Sequence, residues 1–160
     1  MNDKLKDVVC GMEVASTCHA VDYQGSRFAF CSAQCRERFI AHPHLYIGLP
    51  GQPAPKQQGR MVRKRRSFEL DTALDSRQAE AVREHVRALM GVEAIAAEGA
   101  RVSVTYDLLQ VTAVQIEAAF EAAGAQLGSG WGARLRRGFA HYTEECEVGH
   151  LQVAPPSGCH

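Results

Sequence analysis

Residues 51–66 read GQPAPKQQGRMVRKRR, six bases and no acid with two prolines and two glycines, and this run divides the chain in two. Such a composition predicts a linker. A folded unit near ~60 residues buries only about 60% of the surface its unfolded chain exposes, so small flanking units are marginal unless a metal, a partner or each other supports them. Residues 1–50 hold five bases and five acids, whereas residues 67–160 hold seven bases and thirteen acids, so the acidic second half cancels the charge of the linker. The RKRR run is therefore expected to be solvated and docked on that half. A single basic run without a recognition fold makes a nucleic-acid partner a poor expectation.

With 46% apolar and 22% charged residues the chain is globular in composition. No stretch approaches the ~20 apolar residues of a transmembrane helix. The start, MNDKLKDVVCGM, lacks the apolar core of a secretory signal. The expectation is a soluble cytoplasmic protein with no membrane insertion. In a reducing compartment its six cysteines are expected as thiols for metal or redox work rather than as a disulfide framework.

Within residues 1–50, Tyr23–Phe30 places aromatic residues alternately around a Gly25-containing turn, which predicts a hairpin. Ser32 comes next as an N-cap, and a short helix is expected from Ala33 to Ala41, stopped by Pro43. Cys31 then ends the strand and Cys35 lies in the first helical turn, where their sulfurs can share one space. The positive end of the helix dipole favours thiolate there, and soft thiolates select ions such as Cu(I) and Zn(II) over Mg or Ca. Cys10, in the Cys-Gly-Met turn, is the natural third ligand. Spacing alone says soft metal or redox.

These residues carry a resemblance. Cys10-Gly11-Met12, Tyr23-x-Gly25, Phe30-Cys31-Ser32-x-x-Cys35-x-x-x-Phe39 and Pro43-x-x-Tyr46 resemble the YHS domain, a small metal-binding module related to the TRASH group, over about residues 5–48. The resemblance implies heavy-metal binding by Cys10, Cys31 and Cys35, with copper, silver or zinc as candidates. Three thiolates suit a trigonal Cu(I) or Ag(I) site, whereas structural zinc usually takes a fourth ligand. Cys18 and His19 are candidates for that fourth place, as are His42 and His44, which read first as surface histidines beside Pro43. Met12 is expected in the core rather than on a metal.

Residues 67–128 predict a βαββαβ order. Ser67–Asp71 alternates as a strand, Ser76 caps a helix to about Met90, and Val92–Ala96 and Arg101–Tyr106 are strands joined at Glu98-Gly99, a type I′ candidate. Val114–Ala123 is a second helix and Ala125–Leu127 a last strand. This is the ferredoxin-like arrangement. The stretch also resembles the heavy-metal-associated domain of copper chaperones and copper-transporting ATPases. That family binds metal through two cysteines between first strand and first helix. Here the loop is Thr72–Ser76 and has no cysteine, so no metal is expected in this domain.

In residues 129–160, Trp131, Leu135, Phe139, Tyr142 and Cys146 recur at helical spacing, which predicts an amphipathic helix from Trp131 to about Val148 whose apolar face covers another element. His141 with Glu145, and Cys146 with His150, fall one turn apart. With the terminal Cys159 and His160 they form a candidate second site. The fold class expected is therefore α+β: a cysteine-rich hairpin-plus-helix module, a ferredoxin-like domain and a C-terminal amphipathic helix.

The functional expectation is a heavy-metal binding accessory protein for Cu(I), with Zn(II) or Ag(I) as alternatives, acting in sequestration or in transfer to a heavy-metal P-type ATPase or another metal-handling protein. A zinc-braced interaction module is the second reading. An enzyme is not expected, since no phosphate loop, nucleophile elbow or convincing carboxylate pair is present, although His141, Glu144, Glu145 and His150 can in principle hold a harder metal.

Overall fold

The computed structural model describes residues 3–153, which divide into two compact units. One takes in the chain up to Met61 together with the residues from Cys146 onward, and the other runs from Val62 to Glu145.

The first unit opens with a hairpin, β1 (Lys4–Lys6) against β2 (Glu13–Ala15), that the sequence patterning does not announce. Its loop is held by Asp7 N–H donating to the Met12 carbonyl and Gly11 N–H to that of Asp7, both at 2.8 Å. Gly11 takes a φ of 86°, which an L side chain rarely adopts. A second hairpin pairs β3 (Val21–Tyr23) with β4 (Ser26–Phe28). Gln24 and Gly25 both have positive φ, 48° and 78°, the pattern of a type I′ turn. Helix α1 (Ala33–Ala41) starts at Ser32, whose hydroxyl accepts from Cys35 N–H, and gives way to a 3-10 turn at Pro43–Leu45.

Phe39 organises the core of this unit. Its ring lies 4.7 Å from Phe28, 5.2 Å from Phe30, 5.6 Å from Tyr23 and 6.4 Å from Tyr46, centroid to centroid. Aromatic pairs at such separations contribute about 0.5–1.5 kcal/mol each beyond the area they bury. The hairpin and α1 are thus locked together on either side of Cys31.

In the second unit, β5 (Arg63–Glu69), β6 (Val92–Glu98) and β7 (Arg101–Asp107) form an antiparallel sheet in the order β5-β7-β6. Helices α2 (Ser76–Arg87) and α3 (Ala113–Ala122) bring Val82, Val86, Ile116 and Phe120 into a core with Phe68, Val102, Val104 and Tyr106. Both helices start on a capping box, Asp75 with Gln78 and Thr112 with Gln115. The N-cap of α2 is therefore Asp75, one residue before the expected Ser76. Helix α4 (Trp131–Gln152) is longer than expected and has residues in both units.

Four expectations are corrected. Arg63–Arg66, grouped with the linker by composition, belong to β5, where seven register pairs with β7 and alternating exposure outweigh the charge of the side chains. The last strand at Ala125–Leu127 is reduced to one antiparallel bridge, Leu70 with Leu127, so only five of the six βαββαβ elements stand as full elements. Strands β6 and β7 turn at Gly99-Ala100, between the paired Glu98 and Arg101, and only Gly99 has positive φ. That is the type II′ pattern, as expected where the second turn residue carries a Cβ. Finally, Trp131, Leu135, Phe139 and Tyr142 of α4 are exposed, whereas Ala133, Ala140 and Glu144 are half-buried to buried. The face of small residues packs because Glu144 finds partners there.

That network is buried. Glu144 accepts hydrogen bonds from the Tyr106 hydroxyl, from Arg66 Nε at 2.9 Å and from the N–H of Ala113 at 2.9 Å, the first residue of α3. Burial, with the bond to Glu144 adding to it, pushes the Tyr106 hydroxyl well above its ordinary value. No helix among the described residues is long and apolar enough to cross a membrane.

Candidate metal centre

Three backbone devices converge in the first unit. The β1–β2 loop carries Asp7 and Cys10, the end of the β3–β4 hairpin carries Cys31, and the first turn of α1 carries Cys35. Their ligand atoms all lie within 4.8 Å of one another. Sγ of Cys31 is 3.5 Å from that of Cys10 and 3.6 Å from that of Cys35. Metal–sulfur bonds of about 2.3 Å put the sulfurs of a tetrahedral or trigonal site roughly 3.8–4.0 Å apart. A shift of a few tenths of an ångström therefore admits a soft ion, and the group can hold a metal.

Asp7 has no counterpart in the sequence reading. It is buried, and its carboxylate accepts from the N–H groups of Val9 at 2.8 Å, Cys10 at 3.3 Å and Cys31 at 2.8 Å. One side chain thereby fixes the backbone at two of the three thiols. The signal for the local part was present, because Asp commonly bonds the main chain two residues on and shapes a turn. Nothing in the sequence signals the bond to Cys31.

The electrostatics differ from the helix-dipole expectation. Burial pushes the Cys10 thiol up to about 12, with the hydrogen bonds to Asp7 and Cys31 adding to it and a backbone bond at Met12 opposing it. Burial also raises Cys35 strongly, and Asp7 and the two neighbouring sulfurs raise it further. The helix dipole does not overcome desolvation. An arriving cation has to displace the protons, and its charge then replaces what water would have supplied.

Cys18 and His19 stand outside this group. The N–H of Cys18 donates to the Ala15 carbonyl and its carbonyl accepts from Phe30, while His19 is exposed at a φ of 43°. His42 has its Nδ1 2.5 Å from the Gln152 amide. Met12 is exposed rather than in the core.

The second candidate site is not assembled among the described residues. His141 bonds Glu117 at 2.9 Å instead of meeting Glu145, Cys146 is half-buried, and Glu145 and His150 are exposed. Cys159 and His160 lie outside the described residues.

No curated protein and no solved structure matches the chain. Residues 5–49, the span that holds Asp7, Cys10, Cys31 and Cys35, match the family model of the YHS domain.

Proposed function

We propose that the protein binds Cu(I), with Ag(I) as a mimic, through Cys10, Cys31 and Cys35, and acts as an accessory protein that sequesters the ion or hands it to another metal-handling protein. The observation that carries this reading is the division of labour at the site. Three sulfurs are close enough to share one ion, and the nearest carboxylate already accepts three backbone N–H groups. Three-coordinate thiolate sites suit Cu(I). Transfer would proceed by ligand exchange, an incoming thiolate entering before an old one leaves, and the half-exposed Cys10 and Cys31 are the sulfurs open to such attack.

On this reading the second unit is a ferredoxin-like domain related to the heavy-metal-associated group. Its β5–α2 connection, Leu70–Asp75, offers no thiol, so it serves as a docking or bracing element. A heavy-metal P-type ATPase is the partner class this combination fits. The setting we infer is cytoplasmic, and the role is not enzymatic.

Zinc is the alternative. Cys35 is buried, and Asp7 lies near enough to complete four ligands, which favours a closed structural site over an open one. Anaerobic Cu(I) titration of the reduced protein against a chromophoric chelator distinguishes the two, run beside Cys10→Ala, Cys31→Ala, Cys35→Ala combined. Tight binding lost in the triple variant, with a fold that survives chelation, supports the carrier. Stoichiometric zinc in the purified protein, unfolding on its removal and Cu(I) affinity no better than that of free thiols would establish the scaffold instead.

A further inference from the structure

Strand β5 is an edge of its sheet, and a further strand begins beside it and stops. The N–H groups of Leu70 and Leu108 donate to the carbonyls of Ala100 and Val62, so the even-numbered residues of β5 face β7 through their main chain and the odd-numbered ones face outward. On that outer side Gly128 N–H donates to the Glu69 carbonyl and Asp71 N–H to that of Gln126, around the single Leu70–Leu127 bridge. The chain then turns away, with Ser129 bonded through its N–H and hydroxyl to the Asp71 carboxylate, and enters α4. The next outward positions, Ser67 and Arg65, have no main-chain partner on that side among the described residues. Space remains in front of them. A cavity of about 440 Å³ lies between this edge and α4, lined by Arg65, Ser67 and Glu69 on one side and by Ala133, Arg136 and Ala140 on the other.

We propose that this edge takes up an extended acidic segment of a partner protein as the missing strand beside β5. Strand addition draws affinity from main-chain hydrogen bonds and specificity from the side chains around them. Here the surroundings are basic. Five arginines line the cavity, and the carboxylates that line it are Glu69 and Glu117. Arg101 and Arg136 share Glu69, Arg66 is held by the buried Glu144, and Arg137 donates to the Gly128 carbonyl. The positive charge therefore exceeds the negative with every one of these pairs intact, and Arg65 is exposed with no carboxylate against it among the described residues. A guanidinium carries five N–H donors, so Arg101 and Arg136 keep donors beyond the bond to Glu69. The same arginines disfavour other strands. A second copy that paired β5 with β5 centred on Arg65 would set that residue against itself, and like charges directly opposite destabilise a pair. The second unit thereby gains a docking role that does not depend on which ion the thiols hold.

In the free chain the N–H groups of Arg65 and Ser67 should exchange with solvent faster than those of Arg66 and Phe68, which are bonded into the ladder with β7. A bound strand should slow the first pair and leave the second unchanged. Ser67→Pro removes an outward donor and keeps the ladder, since the odd residues give no hydrogen bond to β7 and an edge strand tolerates proline where its N–H faces out. Ser67 also bonds Ser103 through its hydroxyl, so Ser67→Ala controls for the loss of that contact.

The test is calorimetric titration of the full chain with a short blocked peptide of alternating glutamate and valine, and with a lysine and valine peptide of the same length, beside amide hydrogen exchange of the complex. The acidic peptide should bind with a Kd of about 10–300 µM, the class of a small interface, and more weakly as salt rises. The basic peptide should not bind. Ser67→Pro and Arg65→Glu should each weaken binding at least about tenfold, while Ser67→Ala stays within about twofold of wild type. Arg65→Glu changes an exposed side chain and decides the matter should Ser67→Pro lose its fold. Cu(I) uptake should be unchanged in all three variants, since none touches the thiol site, which keeps failure here distinct from failure of the metal reading. Four results would overturn the proposal: no binding at about 1 mM peptide, equal binding of the basic peptide, a folded Ser67→Pro variant that binds as wild type does, or protection that misses the Arg65 and Ser67 amides. Affinity for a single-stranded oligonucleotide with none for the acidic peptide would overturn it too and reassign the groove to nucleic acid.

Discussion

Replacing Asp7 by asparagine separates a residue that braces a metal site from one that ligates the metal. Asp7 accepts three backbone N–H bonds in a buried setting, from Val9, Cys10 and Cys31. Asparagine keeps one acceptor oxygen, enough for Val9 and Cys10. Its amide group then faces the N–H of Cys31, donor against donor, where a 2.8 Å charge-assisted bond had been. Such bonds contribute about 1.5–3 kcal/mol, and a stranded buried donor costs about 1–3 kcal/mol, so Asp7→Asn should destabilise the first unit by roughly 2–4 kcal/mol. Alanine removes all three bonds and should cost more.

Because the chain has two units, global unfolding is a blunt measure of this loss. Amide hydrogen exchange at Val9, Cys10 and Cys31 reads it locally, and urea unfolding monitored by circular dichroism gives the total. The expected result is faster exchange at all three amides, most at Cys31, with Cu(I) stoichiometry retained at weaker affinity. Protection and stability within about 0.5 kcal/mol of wild type, combined with loss of metal, would refute the reasoning and make Asp7 a ligand.

The thiols and the two buried hubs carry further expectations. Thiols held protonated, Cys10 at about 12 and Cys35 raised with it, mean that soft-metal uptake should release protons and weaken as pH falls, which a pH-stat during titration will show. In the chelated protein the sign for stability is the opposite: a folded-state thiol pKa above the ordinary value of about 9 lends stability below that pH and loses it as pH rises toward 12, which denaturation at pH 8 and pH 10.5 should reveal. Phe39→Ala should cost about 3–5 kcal/mol and abolish high-affinity metal binding, because the ring couples the hairpin to the helix that carries Cys35. Glu144→Ala strands Arg66, Tyr106 and the start of α3, and should destabilise the second unit by about 3–5 kcal/mol while leaving metal affinity unchanged. Calorimetry of the variant, with a Cu(I) titration beside it, checks both halves.

Features that depend on neighbours in sequence were legible. Ser32 caps α1 through the Cys35 N–H, Gln24-Gly25 makes the turn, and the spacing of Cys31 and Cys35 places two sulfurs at one strand-to-helix junction. The type II′ turn at Gly99-Ala100 shows the limit, since the choice of turn residues rested on where pairing with β7 ended. Arg63–Arg66 show it more strongly. Their charge reads as a linker, yet β7 supplies the missing ladder and Glu144, 78 residues away, the counter-charge for Arg66.

Residue order was enough to set the local chemistry: three thiols, a capped helix, the hairpins at Gly25 and Gly99, and an amphipathic pattern in α4. Which side of that helix is covered was settled by packing, since periodicity identifies a face but not its neighbour, and here a satisfied glutamate among alanines went inward while Trp131 and Phe139 stayed out. Packing also brought Asp7 to the thiols. A carboxylate bonded to a backbone 24 residues further on is a long-range contact, and no local propensity records it.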